Sequence, residues 1–478
     1  MTETLEWEDA LAAAERVRRR DIEPIELLDA ALDRLERVNG ELNAVVTSMF
    51  DEARRTALAD VAEGPFQGVP FLLKDLFTAY AGTRLSNGAT ACQALVPRYD
   101  SELVRRYKRA GLVVFGKTNT PEFGIPPVTE NRLFGATRNP WSARHSPGGS
   151  SGGAAAAVAA RVVPMAHGGD GGGSIRIPAS ACGIFGLKPS RARNPLGPEA
   201  GDLLSGLVCE HALTISVRDS AALLDATAGP DVGDPYYAPP PTRPFLSEVG
   251  VDPGRLRIAF AKSAPTGVDV HPDCVGAVED AARLCASLGH EVEEASPAID
   301  ASDLARGFIT IYAAGAARSV LDVEGEAGFQ LPRETFEPIT WGLYEMAKSL
   351  RSADYLLALR QIQRAARDVG RFFETYDVWL TPTLAWPPVE IGAFATTYDD
   401  PLAGFFRAAD FAPFTPLINA TGQPAMSVPL YWNAEGLPIG SHFVGRFGDE
   451  ATLFRLAAQL EAVRPWAGRL PPICAITP

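Results

Sequence analysis

Cysteine and histidine are both scarce in this sequence, which has six of each among 478 residues. No two cysteines form a C-x-x-C pair, and the histidines show none of the spacings that hold zinc. The chain therefore lacks the pattern of a disulfide-stapled or zinc-dependent protein. We expect reduced, mostly buried thiols, no metal and no other cofactor.

Long hydrophobic runs are missing as well. The most apolar stretch, residues 154–166, is interrupted by Arg161 and is too short to span a bilayer. The sequence starts with the acidic segment MTETLEWEDA, which lacks the apolar region of a secretory signal. We therefore expect a cytoplasmic location and no membrane partner.

Positive charge is in deficit. The 44 lysines and arginines face 58 acidic residues, which gives a formal net charge of -14 at pH 7. A protein with this excess of negative charge repels phosphate backbones, so nucleic acid is not an expected partner. The expected partner is a small molecule. The sequence leaves open whether the chain is a monomer or a homodimer.

Hydrophobic residues make up 46% of the chain and fall into short runs between turn residues from Gly68 onward. After one such run, residues 275–288 show helical spacing, Gly289 is a candidate C-cap and Val292 begins another strand. This alternation predicts an α/β sheet with helices on both faces. Five runs predict buried strands, at 69–73, 112–115, 256–261, 378–380 and 426–431.

The simplest domain organisation is a single domain over residues 1–478. Residues 1–60 form an N-terminal helical segment that we expect to pack on the main body. Its apolar residues recur at helical spacing, at Leu27, Leu28, Ala31, Leu32 and Leu35.

Two familiar motifs match the sequence but not their required context. Residues 111–118, GLVVFGKT, have the letters of a phosphate-binding loop, yet LVVF reads as a strand and Pro121 follows where a helix should grow. Residues 148–152, GGSSG, fit G-x-S-x-G, but polar residues 141–147 precede them in place of an apolar strand. Neither nucleotide binding nor a nucleophile elbow is favoured.

A Ser-His-Asp esterase nevertheless stays as a weaker alternative. His167, His211 and His442 are its candidate bases.

Glycines are unusually dense between residues 147 and 190. Ser150 and Ser174 stand in separate glycine-rich loops on either side of a small-residue helix expected from about 152 to 160. Consecutive glycines let several backbone N–H groups converge on one point, as an oxyanion hole requires. Because the ordered-looking residues IRIP follow Ser174, a flexible linker is a poor interpretation.

Several motifs occur in one order that closely resembles the amidase signature family. They are GVPFLLKDLF, GKTNTPEF, GGSSGG, DGGGSIRIP, GLKPS, ATGQPAMSVP and GLPIG. Within the family, the chain most resembles the 6-aminohexanoate-cyclic-dimer hydrolase-type amidases. The sequence departs from the family pattern at Gly169 and Ser190, where the family has threonine. The resemblance implies a mixed central β-sheet covered by helices on both faces.

The resemblance also implies a Ser-Ser-Lys triad. Ser174 matches the nucleophile that forms an acyl-enzyme, and Ser150 matches a bridging serine held by a cis peptide. Lys74 matches the base, and its place after the apolar run 69–73 favours a lowered pKa and a neutral amine. The residues whose backbone N–H groups would form the oxyanion hole are Gly171, Gly172, Gly173 and Ser174.

The predicted function is hydrolysis of uncharged amides, with carbamates and cyclic or oligomeric amides as further substrates. An alternative is the glutaminase-type subunit of an amidotransferase complex, which needs a site for charged α-groups. Residues 382–414 are instead rich in Phe, Pro and small apolar side chains, and residues 308–350 are candidate pocket walls. Candidate pocket aromatics are Trp341, Tyr344, Phe405, Phe406, Phe411 and Phe414.

Overall fold

The computed structural model describes residues 7–59 and 61–476. In this part of the chain, 14 α-helices accompany one 11-stranded sheet. The α-helices are α1 (Ala10–Arg18), α2 (Pro24–Leu42), α3 (Phe50–Leu58), α4 (Glu102–Arg109), α5 (Gly152–Ala159), α6 (Arg176–Cys182), α7 (Val217–Thr227), α8 (Pro272–Ser287), α9 (Ala301–Ala327), α10 (Pro338–Lys348), α11 (Ser352–Thr375), α12 (Ala403–Phe411), α13 (Thr415–Thr421) and α14 (Glu450–Val463). The strands are β1 (Val45–Ser48), β2 (Pro70–Lys74), β3 (Val113–Thr118), β4 (Met165–Asp170), β5 (Phe185–Lys188), β6 (Cys209–Thr214), β7 (Arg257–Phe260), β8 (Glu291–Glu294), β9 (Val378–Pro382), β10 (Ala425–Trp432) and β11 (Pro438–Gly445).

The sheet is mixed, with the strand order β1-β3-β2-β4-β6-β5-β10-β11-β9-β7-β8. Strands β3, β2 and β4 are parallel to one another, as are β9, β7 and β8. The remaining neighbours pair antiparallel. The predicted α/β architecture with a mixed central sheet is confirmed.

The central strands are buried on both faces, which explains their continuous apolar sequences. In β2, Leu72 joins a core formed with α2, α3 and α5. Its neighbours Phe71 and Leu73 join a different core with α1, α4 and α7. Since side chains alternate along a strand, helices therefore cover both faces of the sheet.

All five strands predicted from apolar runs are present, as β2, β3, β7, β9 and β10. The predicted unit of strand, helix and strand is β7, α8 and β8, and its two strands are parallel. Strands β1, β4, β5, β6 and β11 were not predicted. The reason is clearest for β4, whose sequence MAHGGD contains two glycines and two polar residues.

The N-terminal segment contains the predicted helices, and the apolar stripe of α2 is largely buried. Pro24 at the first turn and a capping box between Glu23 and Glu26 start this helix. The prediction of a purely helical segment missed β1, which pairs antiparallel with β3. Residues 1–6 and 60 of this segment, and residues 477–478 of the predicted domain, lie outside the described residues.

The phosphate-loop motif is part of the sheet. Residues Val113–Thr118 form β3, and the Lys117 ammonium is buried 3.5 Å from an Asp75 carboxylate oxygen. A lysine held in a strand cannot cradle a phosphate at a helix N-terminus, so the rejection of nucleotide binding is supported. Across the described ranges, no helix combines the length and apolar composition needed to cross a membrane.

Candidate active site

Lys74 is the last residue of β2 and is buried. Its Nζ lies 2.8 Å from Ser150 Oγ and donates to the Gly169 carbonyl oxygen at 3.2 Å. Alternation along the strand places Lys74 on the same face as Leu72, which packs with α5. The serine loop leads directly into α5, so strand and helix together bring the amine to the serine.

Burial lowers the pKa of the Lys74 amine to about 8, and the negative charges of Glu210 and Asp170 oppose this effect. A neutral amine can accept a proton, whereas an ammonium cannot. The Lys74 amine therefore exchanges between its charged and neutral forms near pH 8.

Ser150 lies between Gly149 and the start of α5, and the Gly149–Ser150 peptide bond is cis. The glycines in this loop are required by close packing. A Cβ at Gly149 would lie 2.6 Å from the Val128 backbone, and one at Gly153 would lie 2.5 Å from the Asn119 nitrogen. No side chain fits at either position, and the loop is held against its neighbours.

Ser174 follows the glycines after β4 and precedes α6. Its side chain is 8% exposed, the least buried of the three predicted catalytic residues. The Ser151 N–H donates to the Ser174 carbonyl oxygen at 3.2 Å, which links the two serine loops. Hydrogen bonds thus connect Lys74 at the end of β2, the Ser150 loop before α5 and the Ser174 loop after β4.

A buried ionic network holds the Ser174 loop. The Arg176 guanidinium contacts both Asp170 carboxylate oxygens, at 2.9 and 3.0 Å. Asn419 donates to the same carboxylate at 2.8 Å. The Arg176 charge and these hydrogen bonds outweigh burial and hold the pKa of Asp170 well below its usual range. These contacts fix the Ser174 loop through Asp170 and Arg176.

The four predicted oxyanion donors differ in their hydrogen bonds. The Gly173 N–H donates to Asp170 Oδ1 at 2.7 Å. Within residues 7–59 and 61–476, the N–H groups of Gly171, Gly172 and Ser174 have no hydrogen-bond acceptor. These three donors are free to meet a negatively charged oxygen.

The three candidate histidine bases make hydrogen bonds to groups other than the two serines. His167 contacts Glu210 and the Lys74 backbone, and His211 Nε2 lies 2.9 Å from Ser220 Oγ. His442 Nε2 accepts from Arg176, and burial holds the pKa of this imidazole well below its ordinary value. Among the described residues, no histidine contacts the Ser150 or Ser174 hydroxyl, which argues against a Ser-His-Asp site.

A cavity of about 140 Å³ lies beside Ser174, and we call it the acyl cavity. Gly172, Ser174 and Ile177 form its floor, and half of the remaining lining residues come from α9 and α12. None of its lining residues is charged. The wall residues from α9 and α12 are Ala301, Leu304, Ala305, Phe308, Ile309, Tyr312, Phe405, Ala408 and Ala409.

Only Phe405 of the six candidate aromatics lines the acyl cavity. Phe411 and Phe414 are core residues, and Phe406 is about half exposed. Phe308 and Tyr312 were missed by name, although the expected wall segment 308–350 includes them. Helical periodicity alone does not distinguish a cavity-facing aromatic from one that packs in the core.

A larger cavity of about 1200 Å³ adjoins the acyl cavity, and the two share Ile125 and Tyr312. Its lining is strongly acidic. Arg318 is the only basic residue there, against the carboxylates Glu199, Asp202, Glu210, Asp322 and Glu326. No group of three His, Cys, Asp or Glu side chains in the described ranges is placed to hold a metal ion.

The chain resembles known amidases and hydrolases over most of its length. The Amidase family model matches residues 26–454. The chain belongs to the amidase family. A 6-aminohexanoate-cyclic-dimer hydrolase from Pseudomonas sp. (strain NK87) is 38% identical, over 97% of this chain and 96% of that protein. This amidase is therefore a hydrolase that acts on amide C–N bonds.

Solved structures agree with the family assignment. A 6-aminohexanoate cyclic dimer hydrolase complexed with substrate has a TM-score of 0.93 and 37% identity, and the match covers 98% of this amidase and 99% of that chain. A bacterial aryl acylamidase of the amidase signature family has a TM-score of 0.87 and 28% identity, over 98% and 100% of the two chains.

Proposed function

We propose that this amidase hydrolyses uncharged amides through an acyl-enzyme on Ser174, with Ser150 and Lys74 as the proton-transfer pair. Neutral Lys74 takes the proton of the Ser150 hydroxyl, and Ser150 Oγ takes the proton of Ser174. The Ser174 Oγ then bonds to the amide carbonyl carbon. The contact of 2.8 Å between Lys74 Nζ and Ser150 Oγ supports this relay.

The carbonyl oxygen becomes negatively charged as the Ser174 bond forms. The free N–H groups of Gly171, Gly172 and Ser174 are the proposed donors to this oxygen. Collapse of the intermediate breaks the C–N bond, and the amine leaves with a proton returned from Lys74 through Ser150. A water molecule then attacks the ester carbon, the same pair takes its proton, and the Ser174 hydroxyl is restored as the acid leaves.

The uncharged lining of the acyl cavity is the observation that carries the substrate class. An ammonium or carboxylate placed there would lose its hydration without gaining a partner, which costs several kcal/mol or more. Apolar acyl groups instead gain about 25 cal/mol per Å² of buried apolar surface. A cyclic amide such as the 6-aminohexanoate cyclic dimer carries no charge and is compatible with this lining.

The glutaminase alternative is disfavoured by the adjoining cavity as well. Free glutamine has an α-ammonium and an α-carboxylate, and a glutamine site must hold both. The larger cavity has five carboxylates for the ammonium but only the guanidinium of Arg318 for the carboxylate, so it matches one of the two charges poorly.

A substrate panel tests the proposal. Purified enzyme is assayed at equal concentrations of a p-nitroanilide, the cyclic dimer of 6-aminohexanoate, a small carbamate and free glutamine, with Ser174→Ala as the blank. We expect the uncharged amides to be hydrolysed at least tenfold faster than glutamine. A preference for glutamine would contradict the assignment of substrate class, and equal rates in Ser174→Ala would contradict the nucleophile.

A further inference from the structure

His167 and Glu210 form a buried pair behind Lys74, outside the serine relay. The His167 side chain lies on β4, and its Nδ1 accepts from the Lys74 backbone N–H at 3.2 Å. Its Nε2 lies 2.8 Å from Glu210 Oε2. The imidazole thus connects a carboxylate on β6 to the backbone of the proposed base.

The hydrogen bonds define the tautomer of His167. A backbone N–H can only donate, so Nδ1 is the unprotonated nitrogen. The ring proton is on Nε2 and is donated to the Glu210 carboxylate. His167 is therefore neutral in this arrangement, and Glu210 carries the negative charge. This assignment makes the pair an orienting support and not a second base.

Gly169 explains how the Glu210 carboxylate comes so close to the site. Gly169 and Glu210 are paired across β4 and β6. A Cβ at Gly169 would lie 2.6 Å from both Glu210 carboxylate oxygens. The same glycine provides the carbonyl oxygen that accepts from Lys74 Nζ at 3.2 Å. The departure from the family threonine at this position thus creates the space that Glu210 fills.

We propose that His167 and Glu210 are positioning residues for Lys74: the imidazole fixes its backbone, and the carboxylate orients the imidazole and supplies a nearby negative charge. The inference rests on the proposed function, in which Lys74 is the base. The pair acts through Lys74 and does not touch the substrate carbonyl or either serine hydroxyl.

The negative charge of Glu210 affects when Lys74 becomes neutral. Burial is the larger influence on the Lys74 pKa, and Glu210 is the first of two charges that raise it. Other groups around the pair are Asp170 on β4, the Asp75–Lys117 ion pair beside β2, the Tyr107 ring on α4 at 5.8 Å from the His167 ring, and His211 on β6. Of these, only Asp170 joins Glu210 in raising the Lys74 pKa.

The first test is the pH profile of Glu210→Gln. Glutamine keeps the size of the side chain and can still accept from Nε2, but it has no charge. We expect the rising limb of kcat/KM, near pH 8 in the wild type, to move about one pH unit lower, because a nearby negative charge no longer favours the ammonium. A purely structural role would reduce the folded fraction and leave the limb where it was.

The second test compares His167→Asn with His167→Leu. Asparagine can place an acceptor near the position of Nδ1, whereas leucine cannot. We expect kcat to fall at least tenfold in His167→Leu with little change in KM, and to recover most of the loss in His167→Asn. His211→Asn is the matched control, since this buried histidine on β6 bonds Ser220 and should leave the pH limb unchanged.

Rates are normalised to the fraction of enzyme that a sulfonyl fluoride labels at Ser174. One outcome contradicts the positioning role while the proposed function stands. In that outcome Ser174 is labelled and Lys74→Met is inactive, but the rise of kcat/KM with pH in Glu210→Gln occurs at the same pH as in the wild type. If Ser174 is not labelled in the wild type, the proposed function itself fails. Should His167→Leu not fold, as judged by its thermal melting curve, the Glu210→Gln profile decides alone.

Discussion

The floor and the wall of the acyl cavity are held in different ways. The floor residues Gly172 and Ser174 belong to the glycine loop at residues 168–174, which contacts the second glycine loop at 148–152, and added Cβ atoms on these glycines would meet backbone or neighbouring side chains. We include both loops in the floor from here on. The wall on α9 and α12 is held by aromatic contacts, with ring centroids 5.2 Å apart for Phe308 and Tyr312 and 6.0 Å apart for Tyr312 and Phe405.

This difference separates chemistry from selectivity. Floor positions orient N–H groups and hydroxyls, so small displacements there affect every substrate. Wall side chains provide apolar area, so their replacement affects substrates according to the group they bury. The predictions below test whether the two regions can be separated in this way, from the largest expected effect to the smallest.

Removal of the base should have the largest effect. Lys74→Met keeps an unbranched side chain but has no amine, and general-base catalysis contributes about 10²- to 10⁴-fold. We expect kcat to fall by about 10³-fold on every substrate, measured by steady-state kinetics. Lys348→Met, at an exposed ion pair on α10, is the control and should keep wild-type rates. Full activity in Lys74→Met would remove the lysine from the mechanism.

Displacement of the oxyanion donors should come next. Gly173 has φ 128°, and a Cβ there would overlap the Thr415 side chain, so Gly173→Ala must shift the loop. Loss of one oxyanion donor costs about 10²- to 10³-fold in kcat, and we expect a loss of this size with KM changed little. Gly325→Ala on α9 is the control, because nothing lies within 4 Å of its added Cβ. A change in KM alone would mean that the loop acts in binding and not in catalysis.

The pH dependence of kcat/KM should be set by Lys74 and not by the residues of the wall. Below the Lys74 pKa of about 8 the ammonium predominates, so kcat/KM should fall about tenfold for each lower pH unit. The same rise of kcat/KM with pH should be found with each substrate that is hydrolysed well. It should also be found in Phe308→Ala, because this substitution changes only the wall. If the pH profile of kcat/KM differs among substrates, the group that titrates belongs to the substrate and is not Lys74.

The smallest effect is expected from the wall itself. A Cβ at Gly172 would lie 3.3 Å from Phe308 Cζ, which places this ring against the floor. Burial of a large apolar side chain is worth about 1.5–3 kcal/mol, so Phe308→Ala should raise KM for bulky apolar amides about tenfold or more. Its effect on the smallest amides should be under threefold. Phe329→Ala, at an exposed ring beyond α9, should change neither value. Equal losses on large and small substrates would show that Phe308 supports the floor and not selectivity.

Sequence motifs were more informative about the floor than about the wall. Ser150, Ser174 and Lys74 stand in motifs whose glycines and apolar neighbours are local, and Lys74 and Ser150 are in contact in the structure. The sequence did not indicate that the Gly173 N–H donates to the Asp170 carboxylate, which sets Gly173 apart from the other three predicted oxyanion donors. Which N–H groups stay free depends on that contact and not on the glycine count.

The wall and several strands could not be predicted in the same way. Phe308 and Tyr312 come from a long helix without a motif, and their orientation toward the cavity depends on how α9 packs. Strand β4 has the sequence MAHGGD, and its glycines and polar side chains hide the apolar pattern by which the other central strands were predicted.

The site of covalent labelling tests the central claim most directly. Enzyme treated with a serine-reactive sulfonyl fluoride is digested, and the modified peptide is located by mass spectrometry in the wild type, Ser151→Ala and Ser174→Ala. We predict one modification at Ser174 in the first two and none in the third, with labelling much slower in Lys74→Met. Modification of Ser150 or Ser151 in the wild type, or undiminished labelling of Ser174→Ala, would contradict the account.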